Sequence, residues 1–247
     1  MDAQFSSSGR SVRVLDVDPD LGARLPKDER ERARAALTAH VYDADPGVWE
    51  VRQPARGPGA FGLLVAEGML GLRTALEDRA TLELVGRGDL LQPWVQLGSE
   101  TTMQPTAGWH VIAPSRLLLL DRAFATAAAA WPEVVVALMR RLIVRTRRLC
   151  YQLAVNTSPR VEDRIVASLW ALADRWGHVK DAGAVLPLRL THRQLAEVVC
   201  AQRPSVSAAL SRLRDEGRVS YTRSSFTLHG AVPSEVKALR DEVARKP

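Results

Sequence analysis

Between residues 133 and 156 the chain has neither glycine nor proline, and its apolar residues recur every three or four positions. Pro132 precedes the run at the place where a first helical residue does not need its N–H. Such a segment has to form one helix, about 35 Å long at 1.5 Å per residue. It carries two apolar seams. The first is Val135, Leu138, Leu142 and Leu149, with Arg145 at a d-like position. The second is Val136, Met139, Ile143, Cys150 and Leu153. A helix with two apolar seams must cover both. One can pack on a domain of the same chain and the other on the same helix of a second copy. The first seam, Arg145 included, is assigned to the dimer interface; a monomeric bundle helix is the alternative.

What precedes the helix is built differently. Residues 12–130 read as short strands at roughly ten-residue intervals, punctuated by glycine and proline. Expected strands cover residues 11–17, 61–66, 69–76, 80–85, 109–112 and 116–121, with turns at 67–68 and 86–89. One charged helical stretch, 27–38, interrupts them. This pattern indicates a compact all-β roll.

Charge divides along the same line. Residues 1–130 hold 14 Lys and Arg against 17 Asp and Glu. Residues 131–179 hold 8 against 4, and residues 180–247 hold 12 against 7. An acidic first half and a basic second half point to separate tasks, with a polyanion as partner of the second.

After the long helix, Ser158 and Pro159 read as N-cap and first residue of a new helix, which Gly177 closes as a C′ glycine. Residues 178–187 read as a loop. Thr191 and Gln194 then form a capping box opening a short helix. A turn at 200–202 leads to a second helix from Arg203, with Val206, Ala209, Leu210 and Leu213 on its buried face. A hairpin follows, with strands at 219–221 and 226–228. Helix, three-residue turn, helix and wing make a winged helix-turn-helix. Arg203 stands where base edges would be in reach. His192, Arg193, Ser205 and Arg223 stand at helix N-termini and wing, where phosphates would be. Thr191, Gln202, Ser207 and Arg212 complete the expected DNA-binding set.

Residues 12–230 thus resemble, in order, the Crp/Fnr family of bacterial transcription regulators, most closely over 190–219 (LTHRQLAEVVCAQRPSVSAALSRLRDEGRV). The resemblance implies an α+β chain with four parts. These are a cyclic-nucleotide-binding-like β-roll (1–130), a dimerisation helix (131–157), a winged helix-turn-helix (158–230) and a C-terminal tail (231–247), read as helical. It also implies a cytoplasmic homodimer on pseudo-palindromic double-stranded DNA, with RNA polymerase as a further partner if it activates. Arg203 falls on the family's first base-reading arginine. Cys200 stands where the family has a turn glycine, and Pro204 and Ala208 replace a Glu and an Arg that read bases in cAMP-responsive members.

The family's cyclic-nucleotide cassette follows Gly-Glu with an Arg-Ser/Thr-Ala about ten residues on. Here Gly88 and Asp89 lead into 95–104, which has no arginine. Burying a phosphate without one is costly, so an ordinary cAMP response is not expected. No cofactor is identified and the effector is unknown. With two cysteines, Cys150 and Cys200, and none nearer the N-terminus, an iron–sulfur sensor is not expected. His40 and His110 are the only candidate haem ligands in this half, and a lone histidine in a β domain is more often structural. The R-x-x-D of Arg13 and Asp16 has the form of a cyclic-di-GMP motif but lies in an expected strand. Trp94, Met103 and Trp109 are the candidate lining of an apolar ligand pocket. Nucleophile-elbow, P-loop and zinc-protease motifs are missing, so no enzyme is expected. No apolar run reaches the ~18 residues of a membrane span. A winged helix that binds protein instead of DNA is the reading from another class.

Overall fold

The computed structural model describes residues 5–51, 59–94, 106–180, 182–188 and 190–232, with side chains from residue 9 onward. Met103, the stretch 95–104 and nearly all of the 231–247 tail lie outside the described residues. The chain forms two units, Met1–Arg79 with Glu83–Thr146, and Ala80–Leu82 with Arg147–Pro247.

The first unit runs β1 (Phe5–Arg13), α1 (Val14–Val17), a 3-10 turn (Pro19–Gly22), α2 (Lys27–Ala36), β2 (Thr38–Ala44), β3 (Gly47–Trp49), β4 (Gly62–Leu76), most of β5 (Arg79–Gly86), β6 (Leu90–Leu91), β7 (Thr106–Leu120), α3 (Arg122–Ala128) and the long α4 (Pro132–Asn156) as far as Thr146, the rest of α4 belonging to the second unit. Among the described residues its sheet has seven strands in the order β1-β2-β7-β4-β5, with β3 also on β7 and β6 on β4. Leu117, Leu118, Leu119 and Leu120 are all buried at the end of β7. Leu118 and Leu120 face one core cluster with Leu64, Phe124 and Leu138. Leu117 and Leu119 face another with Leu63, Leu70 and Trp109. A strand buried on both faces loses the alternation of a half-exposed one.

Two pairs of expected strands are fused. The 61–66 and 69–76 segments are one strand, β4, and the 109–112 and 116–121 segments are one strand, β7. They pair along their length, with register shifts between Val65 and Leu70. The glycine read as a turn is a bulge. Gly68 has φ +88, and a Cβ there would lie 2.3 Å from the Pro114 carbonyl oxygen. Ser115 secures the irregularity: its Oγ accepts from the Met69 N–H at 3.0 Å and donates to the Ala113 carbonyl at 2.7 Å. Residues 14–17, expected to continue a strand, form a helical turn with Val14 and Leu15 buried. Asp16 of the R-x-x-D is thereby paired with Arg34 of α2.

The second unit holds α5 (Val161–Trp176), β8 (His178–Lys180), β9 (Gly183–Leu186), α6 (His192–Val198), α7 (Arg203–Asp215), β10 (Val219–Tyr221) and β11 (Phe226–His229). The expected loop at 178–187 is a hairpin. Its strand β9 pairs with β11, giving a four-stranded sheet β10-β11-β9-β8. Ser158 is not an N-cap: α5 begins after Arg160, without a side-chain cap. Gly177 is extended, not left-handed, at φ −103. A Cβ there would lie 2.7 Å from both the Ala173 and Val185 carbonyl oxygens, so close packing demands the glycine.

Candidate nucleic-acid interface

The helix-turn-helix is α6, a turn and α7. Thr191 Oγ1 accepts from the Gln194 N–H at 3.1 Å, and the Gln194 side chain accepts from the Thr191 N–H at 2.9 Å. This is the capping box read from the sequence. Leu195, Ala196, Val206, Ala209, Leu210 and Leu213 are buried between the helices and against α5. In the turn, Cys200 has φ +50, a conformation that costs a side-chain-bearing residue roughly 1 kcal/mol or more. Its Sγ accepts from Asn156 Nδ2 at 3.1 Å, and burial pushes the thiol pKa up, so the neutral thiol is held. Cys200→Gly should therefore raise stability by about 1 kcal/mol in urea unfolding. A loss of stability would mean that the Asn156 contact outweighs the backbone strain.

The expected contact residues fall into two groups. Arg203, Ser205, Gln202, Arg193 and Arg223 are exposed. Gln202 precedes α7 without capping it by its side chain, and Arg203 occupies the first helical position. Arg193 lies 3.6 Å from Glu197 on its own helix, a weak exposed pair. Arg223 sits at the wing tip, whose turn is closed by the Thr222 N–H donating to the Ser225 carbonyl at 2.9 Å. Thr222 Oγ1 accepts from the Ser224 and Ser225 N–H groups at 3.2 Å each, which shapes the tip further.

The second group holds the motif together. His192 Nδ1 and Ser207 Oγ are hydrogen-bonded at 2.8 Å across the two helices, and the His192 ring stands edge-on to Tyr221 of the wing. Arg212 is taken by the buried Glu162 of α5, its Nε donating at 2.6 Å. Backbone hydrogen bonding, then Arg212, keep the Glu162 carboxyl below its ordinary pKa. Arg164 reaches from α5 to the Ser158, Val199 and Cys200 carbonyls, bracing the turn. Sequence reasoning missed Glu162 and Arg164. The available signal was Glu162 itself, an acid three residues before Ile165 on the apolar stripe of α5.

Along α4 the dimer assignment needs correction. Leu138 is 1% exposed and Val135 packs on the same core, because this seam closes the unit's own β-roll. Arg145 is also turned inward: Nε and Nη2 donate to the two Glu83 carboxylate oxygens at 2.6 and 2.8 Å. Leu142 and Leu149 remain exposed, together with Val136, Met139, Ile143 and Leu153 of the other seam. Arg141 likewise donates to both oxygens of Asp18, at 2.9 Å.

Of the candidate ligand-pocket residues, Met103 lies outside the described residues, and the two tryptophans pack on the sheet core. Trp109 is buried edge-on to Trp49 at 6.0 Å, and Trp94 packs on the same cluster. Asp89, at the cassette's acidic position, is buried and accepts from the Gly86 N–H at 2.9 Å, closing a turn. Among the described residues no group of three metal-ligating side chains occurs, and no helix is long and apolar enough to cross a membrane.

The described residues therefore hold a seven-stranded sheet unit and a second unit built as a winged helix-turn-helix. Residues 163–230 match the model of the Crp-like helix-turn-helix domain. No curated protein matches the chain. Solved structures share its fold. A cyclic nucleotide-binding domain containing protein from Listeria monocytogenes is 17% identical, with a TM-score of 0.63 over 86% of this chain and 97% of that one. FixK2 from Bradyrhizobium japonicum is 16% identical, with a TM-score of 0.59 over 82% and 96%. TTHB099, a regulator of the CRP family from Thermus thermophilus, is 20% identical, with a TM-score of 0.56 over 80% and 93%. Residues 163–230 thus match a Crp-like helix-turn-helix domain, and the chain shares the fold of these solved structures.

Proposed function

We propose that the chain acts as a homodimer that sets two α7 helices in successive major grooves of a pseudo-palindrome, about 34–36 Å apart. The observation that carries this is the outer face of α4. Val136, Met139, Ile143, Thr146, Cys150 and Leu153 alternate by three and four residues, the a/d spacing of a coiled coil. The apolar residues Val136, Met139, Ile143 and Leu153 are each more than half exposed. An apolar stripe of this length on a helix calls for a partner of the same period. Leu142 and Leu149 flank it.

In this reading Arg203 enters the groove, while Ser205, Arg193, Gln202 and Arg223 meet phosphates. Thr191, His192, Ser207 and Arg212 position the reader. The cAMP cassette chemistry is not supported, since Asp89 is committed to a turn and 95–104 holds no arginine. Cyclic-di-GMP at the R-x-x-D is disfavoured too, because Asp16 is engaged by Arg34. RNA polymerase is the further partner if the bound dimer activates, and a DNA partner puts the protein in the cytoplasm.

Ile143→Glu tests the dimer, because it places a charge in the centre of the stripe. Sedimentation should show a wild-type dimer and a variant monomer, with affinity for a full palindrome falling on the order of 100-fold by loss of the tethered second half-site. A monomeric wild type, or a footprint without two-fold symmetry, would sink the proposal. A salt series separates DNA from a protein partner, since phosphate contacts make affinity fall steeply with ionic strength.

A further inference from the structure

The polar groups of α7 are unequally available. Ser207 is half-buried and bonded to His192. Arg212 is bonded to Glu162, and Arg214 lies 3.7 Å from Asp215 near the helix end. What the first two turns leave exposed is Arg203, Pro204, Ser205 and Ala208. Pro204 and Ala208 are four residues apart, so they lie on one face about 6 Å from each other along the axis. That distance spans roughly two base-pair steps.

A small apolar side chain against a base edge is selective by exclusion. Adenine N6, cytosine N4 and the guanine O6/N7 edge would each lose water and find no partner against an alanine methyl or a proline ring. The thymine C5 methyl loses nothing and gains burial. A guanidinium at Arg203 fits the guanine O6/N7 edge bidentately, and we infer that Ala208 and Pro204 read thymine methyl groups beside that guanine. The half-site is then recognised by one charged contact and one or two apolar ones. This inference rests on the proposed entry of α7 into the major groove.

The test uses the full chain and double-stranded DNA selected from random sequence. Each thymine of the selected half-site is replaced singly by deoxyuridine, which removes the methyl and nothing else, and affinity is read by fluorescence anisotropy at fixed salt. Replacement should weaken binding about three- to fivefold at one or two positions per half-site, the worth of one buried methyl. Ala208→Gly should bring the thymine-to-uracil ratio at one position close to 1 while guanine discrimination persists. Ala208→Ser, which retains bulk and adds a hydroxyl, should lower the thymine preference there in a fresh selection. If a sequence is selected and every deoxyuridine site binds like its parent, the inference fails and the DNA reading stands. If no sequence is selected, the DNA reading itself fails.

Discussion

Glu83→Ala should destabilise the β-roll unit by about 2–4 kcal/mol, read as lost hydrogen-exchange protection in β5 and in the first half of α4. The two side chains of the pair are 17% and 20% exposed, and the carboxylate is gripped by two parallel N–H donors. Arg145 Nη1 also donates to the Leu90 carbonyl at 3.3 Å. Burial works against the guanidinium charge, yet the Glu83 hydrogen bond and charge, with Asp89 nearby, hold its pKa above the ordinary value. Removing the carboxylate leaves a desolvated cation with one carbonyl. Replacing both partners, as Glu83→Leu with Arg145→Met, should recover most of the loss because no charge is stranded. An exposed pair such as Arg32 and Asp28, at 3.9 Å and 69% and 81% exposed, should cost almost nothing to remove. A Glu83→Ala loss under ~0.5 kcal/mol would place Glu83 and Arg145 in that class.

Arg203→Ala should cost ~1–3 kcal/mol per half-site and relax base choice at one position. Arg223→Ala should weaken all sequences alike and reduce the salt slope by about 1. The difference follows from placement. Arg203 opens a 13-residue helix whose direction is set by Glu162–Arg212 and His192–Ser207, whereas Arg223 caps a hydrogen-bonded wing turn. Equal losses on specific and random DNA for both variants would show that the two roles are wrongly assigned.

The reader was legible in the sequence because its signals are local. A capping box closes over three residues, the buried face of α7 repeats every three or four, and the short turn needs only one residue of unusual backbone. Even Cys200, odd at a glycine position, marked the left-handed residue that the structure shows. The β-roll was legible as a class and not in its joints. Bulges at Gly68 and Ser115 turned four expected strands into two, since a turn glycine and a bulge glycine look alike until the opposite strand is present. The loop before α6 became a hairpin for the same reason: β9 exists by pairing with β11, more than thirty residues away.

By itself, then, the sequence determined the long helix, its two apolar seams, the acidic and basic halves and the helix-turn-helix, all of which follow from periodicity and nearest-neighbour chemistry. Only the tertiary structure decided which seam faces inward. Both are apolar along the chain, the inward one despite Arg145, and the choice lies with groups distant in sequence. Leu138 meets the roll's leucines, and Arg141 and Arg145 meet Asp18 and Glu83. Those contacts turn Val136, Met139, Ile143 and Leu153 outward. A charge pair 62 residues apart leaves no local trace, yet it helps to fix which face of the helix stays exposed.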